Sequence, residues 1–388
     1  MINIFLFLSG VFLLVFIIGR IIERIKIPWI FAALILGSLL SVYNPFTDIT
    51  TSATFDFLAQ LGLYFLLFVI GFEINLKKLK KESKFILKAT FFIILLEAMF
   101  GSLVVHFIFG YDWFLSFVVA LSFATVGEAI LIPILDEFKI VNTKLGQTII
   151  GIGTFDDIIE IFILILVVVL VGSDVHEHIS IGLIIASLFS MLLLAAGLTK
   201  LKKEGKRFNF LSIETLFLFT IFTLFLFLGI GEYAESAPLA ALLSGIALKT
   251  FIPEKRLKLI ESEVKTLCYG FFAPLFFLEV GISMNINYLI SYPILILLVA
   301  SVSGAAKILG SYLIGRKEFN MKKSVLLGIG LSVRFSTSIV IIKILFDDGL
   351  IDANLYSVIV ASTILFTFIV PILFSNLISK WKIAKQKS

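Results

Sequence analysis

The chain has 388 residues, 60% of them hydrophobic and 15% charged, with 42 phenylalanines and a mean hydropathy of +1.11. A water-soluble domain of this length does not carry that much apolar surface, so the composition excludes a soluble enzyme and points to an all-α polytopic membrane protein. The net charge of +5 sits in loops between apolar runs, which speaks against a nucleic-acid surface, and the single cysteine, Cys268, excludes a disulfide framework or a multi-cysteine metal site.

Apolar runs of about 20 residues, enough to cross a bilayer core of about 30 Å, recur from end to end. In chain order the predicted spans are 2–20, 27–42, 57–75, 84–109, 112–135, 145–171, 179–197, 208–230, 234–251, 265–283, 289–315, 321–346 and 353–379, thirteen in all. The first, MINIFLFLSGVFLLVFIIGR, lacks a basic start and a small-residue cleavage site, so it reads as a retained span rather than a signal peptide. Alternate loops carry the Lys and Arg: RIIERIK, KKLKKESK, DEFKIVNTK, TKLKKEGKR, KTFIPEKRLKLIESEVK, RKEFNMKK and the tail KWKIAKQKS. The loops between them hold Asp48, Asp112, Asp174, Glu232, Asp347 and Asp352 with no basic residue. Because short cytoplasmic loops collect positive charge, the expected orientation is N-terminus outside and C-terminus inside the cytoplasmic membrane.

A shift of 210 residues brings LLFVIGFEINL (66–76) over FFLEVGISMNI (276–286), ALSFATVGEAIL (120–131) over GLSVRFSTSIVI (330–341), and Pro28 over Pro238. Six spans therefore repeat as six spans seven positions later, which inverts the second copy in the membrane. The expected organisation of residues 1–388 is a single transmembrane unit: repeat 1 over 1–171, a linker helix over 172–207, repeat 2 over 208–379 and a basic tail over 380–388. Inverted repeats are a signature of secondary transporters, with the substrate site near the midplane.

Seven charged residues fall near span centres: Glu97, Glu128, Asp156, Asp157, Glu160, Lys307 and Arg334. Each costs roughly 2.5–3.5 kcal/mol at that depth on insertion scales, and folding does not require them. Five carboxylates face two bases, and an apolar interior does not hold that excess ionised. Some must take up protons unless a cation binds instead, and this competition is itself an exchange mechanism. In GTFDDIIEIF (153–162), Asp156 and Glu160 are four apart on one helix face, while Asp157 is turned by about 100°. The repeat-related segments SFATVGEA and LSVRFSTS crowd Ser, Thr and a charge into mid-span, as broken helices facing an ion cavity do, which brings in Thr125 and Ser336. Glu73 sits near the inner end of its span, where it either gates or merely reaches water.

GTFDDIIEIF resembles the aspartate-bearing helix of the monovalent cation:proton antiporters, in the bacterial and archaeal branch with an Asp-Asp motif. YFLLFVIGFEINLKKLKK resembles that branch's third span, ALSFATVG its first crossing helix, and AAKILGSYLIGRKEFNMKKSVLLGIGLSVRFSTSIVI its lysine helix and second crossing helix. The resemblance implies exchange of a monovalent cation, Na+ first, for protons by alternating access, with Asp157 binding the cation and trading it for protons. It also implies that Asp156 pairs with Lys307 in one state, that Thr125 lines the crossing, and that the Asp-Asp form is electrogenic. The implied fold is a core domain and a dimerisation domain, two broken crossing helices and a homodimer in the lipid bilayer, with no enzymatic activity and no cofactor. K+/H+ exchange on the same fold, or a non-transporting sensor or scaffold retaining it, are the alternatives. The second crossing segment reads V-R-F-S where the family reads P-R-G-E, and Glu128, Glu160 and Glu279 are additional acids; Glu128 or Glu279 is expected to pair with Arg334 in place of the missing glutamate.

Overall fold

The computed structural model describes residues 3–24, 28–73, 84–127, 138–174, 181–200, 212–233, 236–252, 254–334 and 336–381, with single positions at 132, 135 and 383. The described residues are helical and contain no strand. With no water in a bilayer core to satisfy backbone groups, a helix is the element such apolar runs must form. The main helices are α1 (Ile4–Glu23), α2 (Phe31–Val42), α3 (Ala53–Glu73), α4 (Lys84–Phe109), α5 (Trp113–Phe123), α6 (Lys144–Asp174), α7 (Ile181–Lys200), α8 (Ile213–Glu232) and α9 (Ala237–Phe251). They continue with α10 (Glu254–Leu267), α11 (Ala273–Ile282), α12 (Pro293–Gly315), α13 (Met321–Leu331), α14 (Ser336–Asp347) and α15 (Ala353–Lys380). Among the described residues, seven helical stretches are long and apolar enough to cross a membrane, fewer than the thirteen spans expected. Several of the other expected spans hold shorter apolar helices, such as Phe31–Val42, Trp113–Phe123 and Ala237–Phe251.

One predicted loop is helix instead. The charged segment before the span at 265–283 forms α10, joined to α11 by a single wide π turn over Cys268–Phe272. Its period explains the difference: Ile260 and Val264 are buried one turn apart, while Lys265 pairs with Glu261 on the polar side at 2.8 Å. Pro274 cannot donate to the carbonyl four residues back, and a wide turn is a usual place to absorb such a gap.

The helices sort into two compact units that interleave along the sequence. The first comprises Met1–Gly19, Trp29–Ile74 and Leu164–Ile282. It is held by two helix crossings of unusual closeness. A Cβ built on Gly71 of α3 would lie 2.1 Å from the Leu242 carbonyl oxygen of α9, and one on Gly245 would lie 2.2 Å from Phe68 O. The crossing of α2 and α11 has the same form: Gly37 would meet Leu278 O at 2.1 Å, and Gly281 would meet Leu34 O at 2.3 Å. At all four places the carbonyl belongs to the residue three before the partner helix's own glycine. Lipid tails are as apolar as leucine, so close backbone approach at small residues is what holds such helices together.

The second unit comprises Arg20–Pro28, Asn75–Ile163 and Ser283–Ser388. Here α4 packs on α5 and α12, and α12 on α13 and α15. Two of its apolar segments are interrupted. Asp112 caps α5, accepting from the N–H groups of Phe114 and Leu115, but the helix stops at Phe123 and residues 124–127 are non-helical. Likewise α13, capped by Asn320, stops at Leu331 and α14 resumes at Ser336. These breaks fall in SFATVGEA and LSVRFSTS, as expected.

Candidate functional site

A broken helix in an apolar interior frees backbone groups that must be satisfied by protein. The two breaks meet each other, with the Gly127 N–H donating to Val333 O at 2.8 Å. Three other groups freed by the first break are taken by charged side chains. The Ala124 carbonyl accepts from Lys307 Nζ at 2.7 Å, and the Thr125 carbonyl accepts from Arg334 Nη1 at 2.7 Å and more distantly from Lys307 at 3.4 Å. The Val126 N–H donates to Asp156 Oδ2 at 2.5 Å. Four consecutive residues thus bind one lysine, one arginine, one aspartate and the other break. The side-chain hydroxyls of Thr125 and Ser338 bond across the crossing, and Thr367 Oγ1 donates to Arg334 O at 2.9 Å.

Asp156 is fully buried on α6, and among the described residues its Oδ1 accepts no hydrogen bond. A buried carboxylate oxygen left open in this way is a place where a proton, a cation or an ammonium gains most. Glu160, one turn on, is also buried and has polar or electrostatic company of its own. The shared face expected for this pair is therefore an inward one.

Arg334 and Lys307 are both wholly buried, and their carboxylate partner is Glu97 of α4. Arg334 Nη2 donates to Glu97 Oε1 and, at 2.5 Å, to Ser303 Oγ, which itself donates to Oε1; Lys307 Nζ lies 3.1 Å from Oε2. The guanidinium also lies against two rings, with its carbon 4.2 Å from the Phe123 centroid and 5.1 Å from that of Phe366. Among the described residues the carboxylate that pairs with Arg334 is therefore Glu97 and not the expected Glu279, while the other expected partner, Glu128, lies outside them. Glu97 meets Ser303 and Lys307 because α4 and α12 are neighbours, and Arg334 reaches it from the break after α13, which their sequence separation does not reveal. In this conformation Lys307 rests on Glu97, while Asp156 rests on the Val126 N–H.

The remaining expected residues fall elsewhere. Glu73 belongs to the first unit, half exposed, with Lys265 Nζ 2.7 Å from its carboxylate and Lys249 donating to its backbone carbonyl at 2.7 Å. Glu279 also lies in the first unit, half-buried on α11, and it has partners of its own. Glu128 and the side chains of Asp157 and Ser336 lie outside the described residues. Sequence reading missed the roles of Glu97 and Ser303. Glu97 was visible as a lone acid in mid-span, but a single carboxylate names no partner, and Ser303 carries no signal at all.

Comparison with known proteins adds the following. The family described as sodium/hydrogen exchanger, transmembrane, matches residues 10–379. The chain is 28% identical over 370 residues to the probable Na+/H+ antiporter 3 of Methanocaldococcus jannaschii, covering 94% of each chain. It is 28% identical over 342 residues to the ammonium/H+ antiporter subunit AmhT of Alkalihalophilus pseudofirmus, covering 84% of this chain and 83% of that one. Its fold is similar to that of the sodium proton antiporter MjNhaP1 from Methanocaldococcus jannaschii, with a TM-score of 0.61 at 20% identity over 97% of this chain and 96% of the other.

Proposed function

The chain belongs to the sodium/hydrogen exchanger family, as a multi-pass secondary transporter of monovalent cations and protons and not an enzyme, and from that premise we propose that it exchanges Na+ for H+ across the cell membrane by alternating access. The observation that carries this reading is the open oxygen of Asp156, buried where two broken helices cross. Asp156 and Asp157 hold either the cation or protons, Thr125 lines the crossing, and Lys307 is the ion-pair partner that competes with the cation for Asp156. Two aspartates and a lysine let more than one proton move per cation. Each net charge moved is worth about 2.3 kcal/mol per 100 mV, so the exchange is electrogenic and the membrane potential drives cation export.

Thirteen spans, an inverted repeat with N-terminus outside, and a homodimer complete the proposal. Two features support the repeat. The glycine crossings of the first unit are related by it, since Gly71 with Gly245 corresponds to Gly281 with Gly37 at offsets of 210 and 208. Glu97 and Lys307 are also 210 apart, on α4 and its equivalent α12.

The test is proton flux in proteoliposomes carrying a pH-sensitive dye, with Na+, Li+ and K+ added in turn under an imposed voltage. Asp157→Asn is expected to abolish the flux. Sodium-dependent proton movement persisting in that variant would defeat the assignment, and a response confined to K+ would transfer the reading to K+/H+ exchange.

A further inference from the structure

Glu97 has more partners than a simple counter-ion to Arg334 requires. Its two oxygens do different things. Oε1 is saturated by Arg334 and Ser303, whereas Oε2 faces Lys307 alone, at 3.1 Å, among the described residues. Lys307 meanwhile is anchored to the break through the carbonyls of Ala124 and Thr125. The next residue along, Val126, holds Asp156, whose Oδ1 is buried and open. One ammonium therefore stands beside the break, paired with Glu97 through Oε2, while Asp156, held by the next residue of the break, keeps Oδ1 without a donor among the described residues. Lys307 and Asp156 already lie within electrostatic reach of one another. A cavity of about 20 Å³, room for about one water, adjoins the glutamate and is lined by Glu97, Ser303, Phe123 and the small residues Gly101 and Ala120.

We propose that Glu97 is a positioning residue of the exchange reaction: it holds Lys307 off Asp156, and thereby sets the affinity of the aspartates for the cation. This rests on the exchange reading above. When Lys307 sits on Glu97, Asp156 is open to the cation; when it sits on Asp156, the cation must displace it. Removing the charge of Glu97 transfers the lysine to Asp156, so the cation meets a competitor on every cycle. Both stations are carboxylates competing for one ammonium, as a two-position element needs.

The experiment measures the Na+ dependence of proton flux in proteoliposomes for the wild type, Glu97→Gln, the shorter Glu97→Asp, and the double variant Glu97→Gln/Lys307→Gln. Binding of NaCl is followed in parallel through cation-dependent thermal stabilisation of the full-length protein in detergent. Glu97→Gln is expected to raise the KM for Na+ and the dissociation constant together by about tenfold, with a smaller change in maximal rate, and Glu97→Asp to raise both in the same direction by less. Removing the lysine as well is expected to return the Na+ dissociation constant to the wild-type value or below it. A protein that folds but loses rate with KM and binding unmoved, in either single variant, would overturn the proposal, as would a double variant that still binds Na+ weakly. If Glu97→Gln does not fold, Glu97→Asp decides by the same criterion. Wild-type vesicles without any cation-coupled flux would overturn the exchange reading and this proposal with it, whereas wild-type exchange with unmoved Glu97 variants overturns only the latter.

Discussion

The two compact units solve the same problem in opposite ways. In the first, the buried polar side chains described are all hydroxyls: Thr220, Thr223, Ser236 and Ser244, each bonded to a carbonyl of its own chain within five residues. Its helices are unbroken at their tightest points, and glycine lets their backbones touch. In the second unit lie all the described buried charges, namely Glu97, Asp156, Glu160, Lys307, Arg334 and Lys343. There helices stop in mid-span, and charges take up three of the backbone groups that the first break frees. The contrast teaches what the charges are for. An apolar helix pair needs none, so charges are kept where the backbone is opened, and opening the backbone is how a membrane protein makes an ion site.

The largest effect that would break this comparison is expected at Arg334. Arg334→Ala strips Glu97 of one partner and the Thr125 carbonyl of its short bond, leaving buried groups uncompensated; the expected loss is about 3–5 kcal/mol, read as a lower unfolding temperature and yield in detergent. Near-wild-type stability would mean that the charges are dispensable to the fold of this unit. In the glycine-packed unit, Gly71→Ala and Gly281→Ala each push a methyl against a backbone oxygen and are expected to cost about 1–3 kcal/mol in the same assay. Gly229→Ala on α8, where nothing lies within 4 Å of the added Cβ, is instead expected to be neutral or to stabilise by about 0.5–1 kcal/mol. Thr125→Val keeps the shape but drops the hydroxyl bonded to Ser338, for an expected loss of about 1 kcal/mol. The smallest effect belongs to Lys144→Ala. Its ion pair with Glu318 is largely exposed, at 63% and 38%, so a change of about 0–1 kcal/mol is expected, hardly visible in the melting curve.

Much of this contrast is legible without coordinates. Gly71 and Gly281 stand out through the repeat of LLFVIGFEINL and FFLEVGISMNI, and the breaks through the Ser and Thr crowded into SFATVGEA and LSVRFSTS. Asp156 and Glu160 declare an inward face by their four-residue spacing, and both are buried. The role of Glu97 is not legible in this way. A pairing such as Glu97 with Arg334 joins residues 237 positions apart, and no local period encodes it. The helix over Glu254–Leu267 was hidden for another reason: its charges read as loop because they balance along a face rather than in the mean.

Membrane class, the positions of the apolar runs, the alternation of loop charge and the burial of acid in mid-span are properties of the amino-acid sequence alone, because each follows from the cost of placing a given side chain in hydrocarbon. Which buried charge meets which other was decided only in the tertiary structure. Partner choice depends on which helices lie side by side and where their backbones open, and a lysine with two carboxylates in reach takes the one that the surrounding carbonyls and N–H groups leave to it.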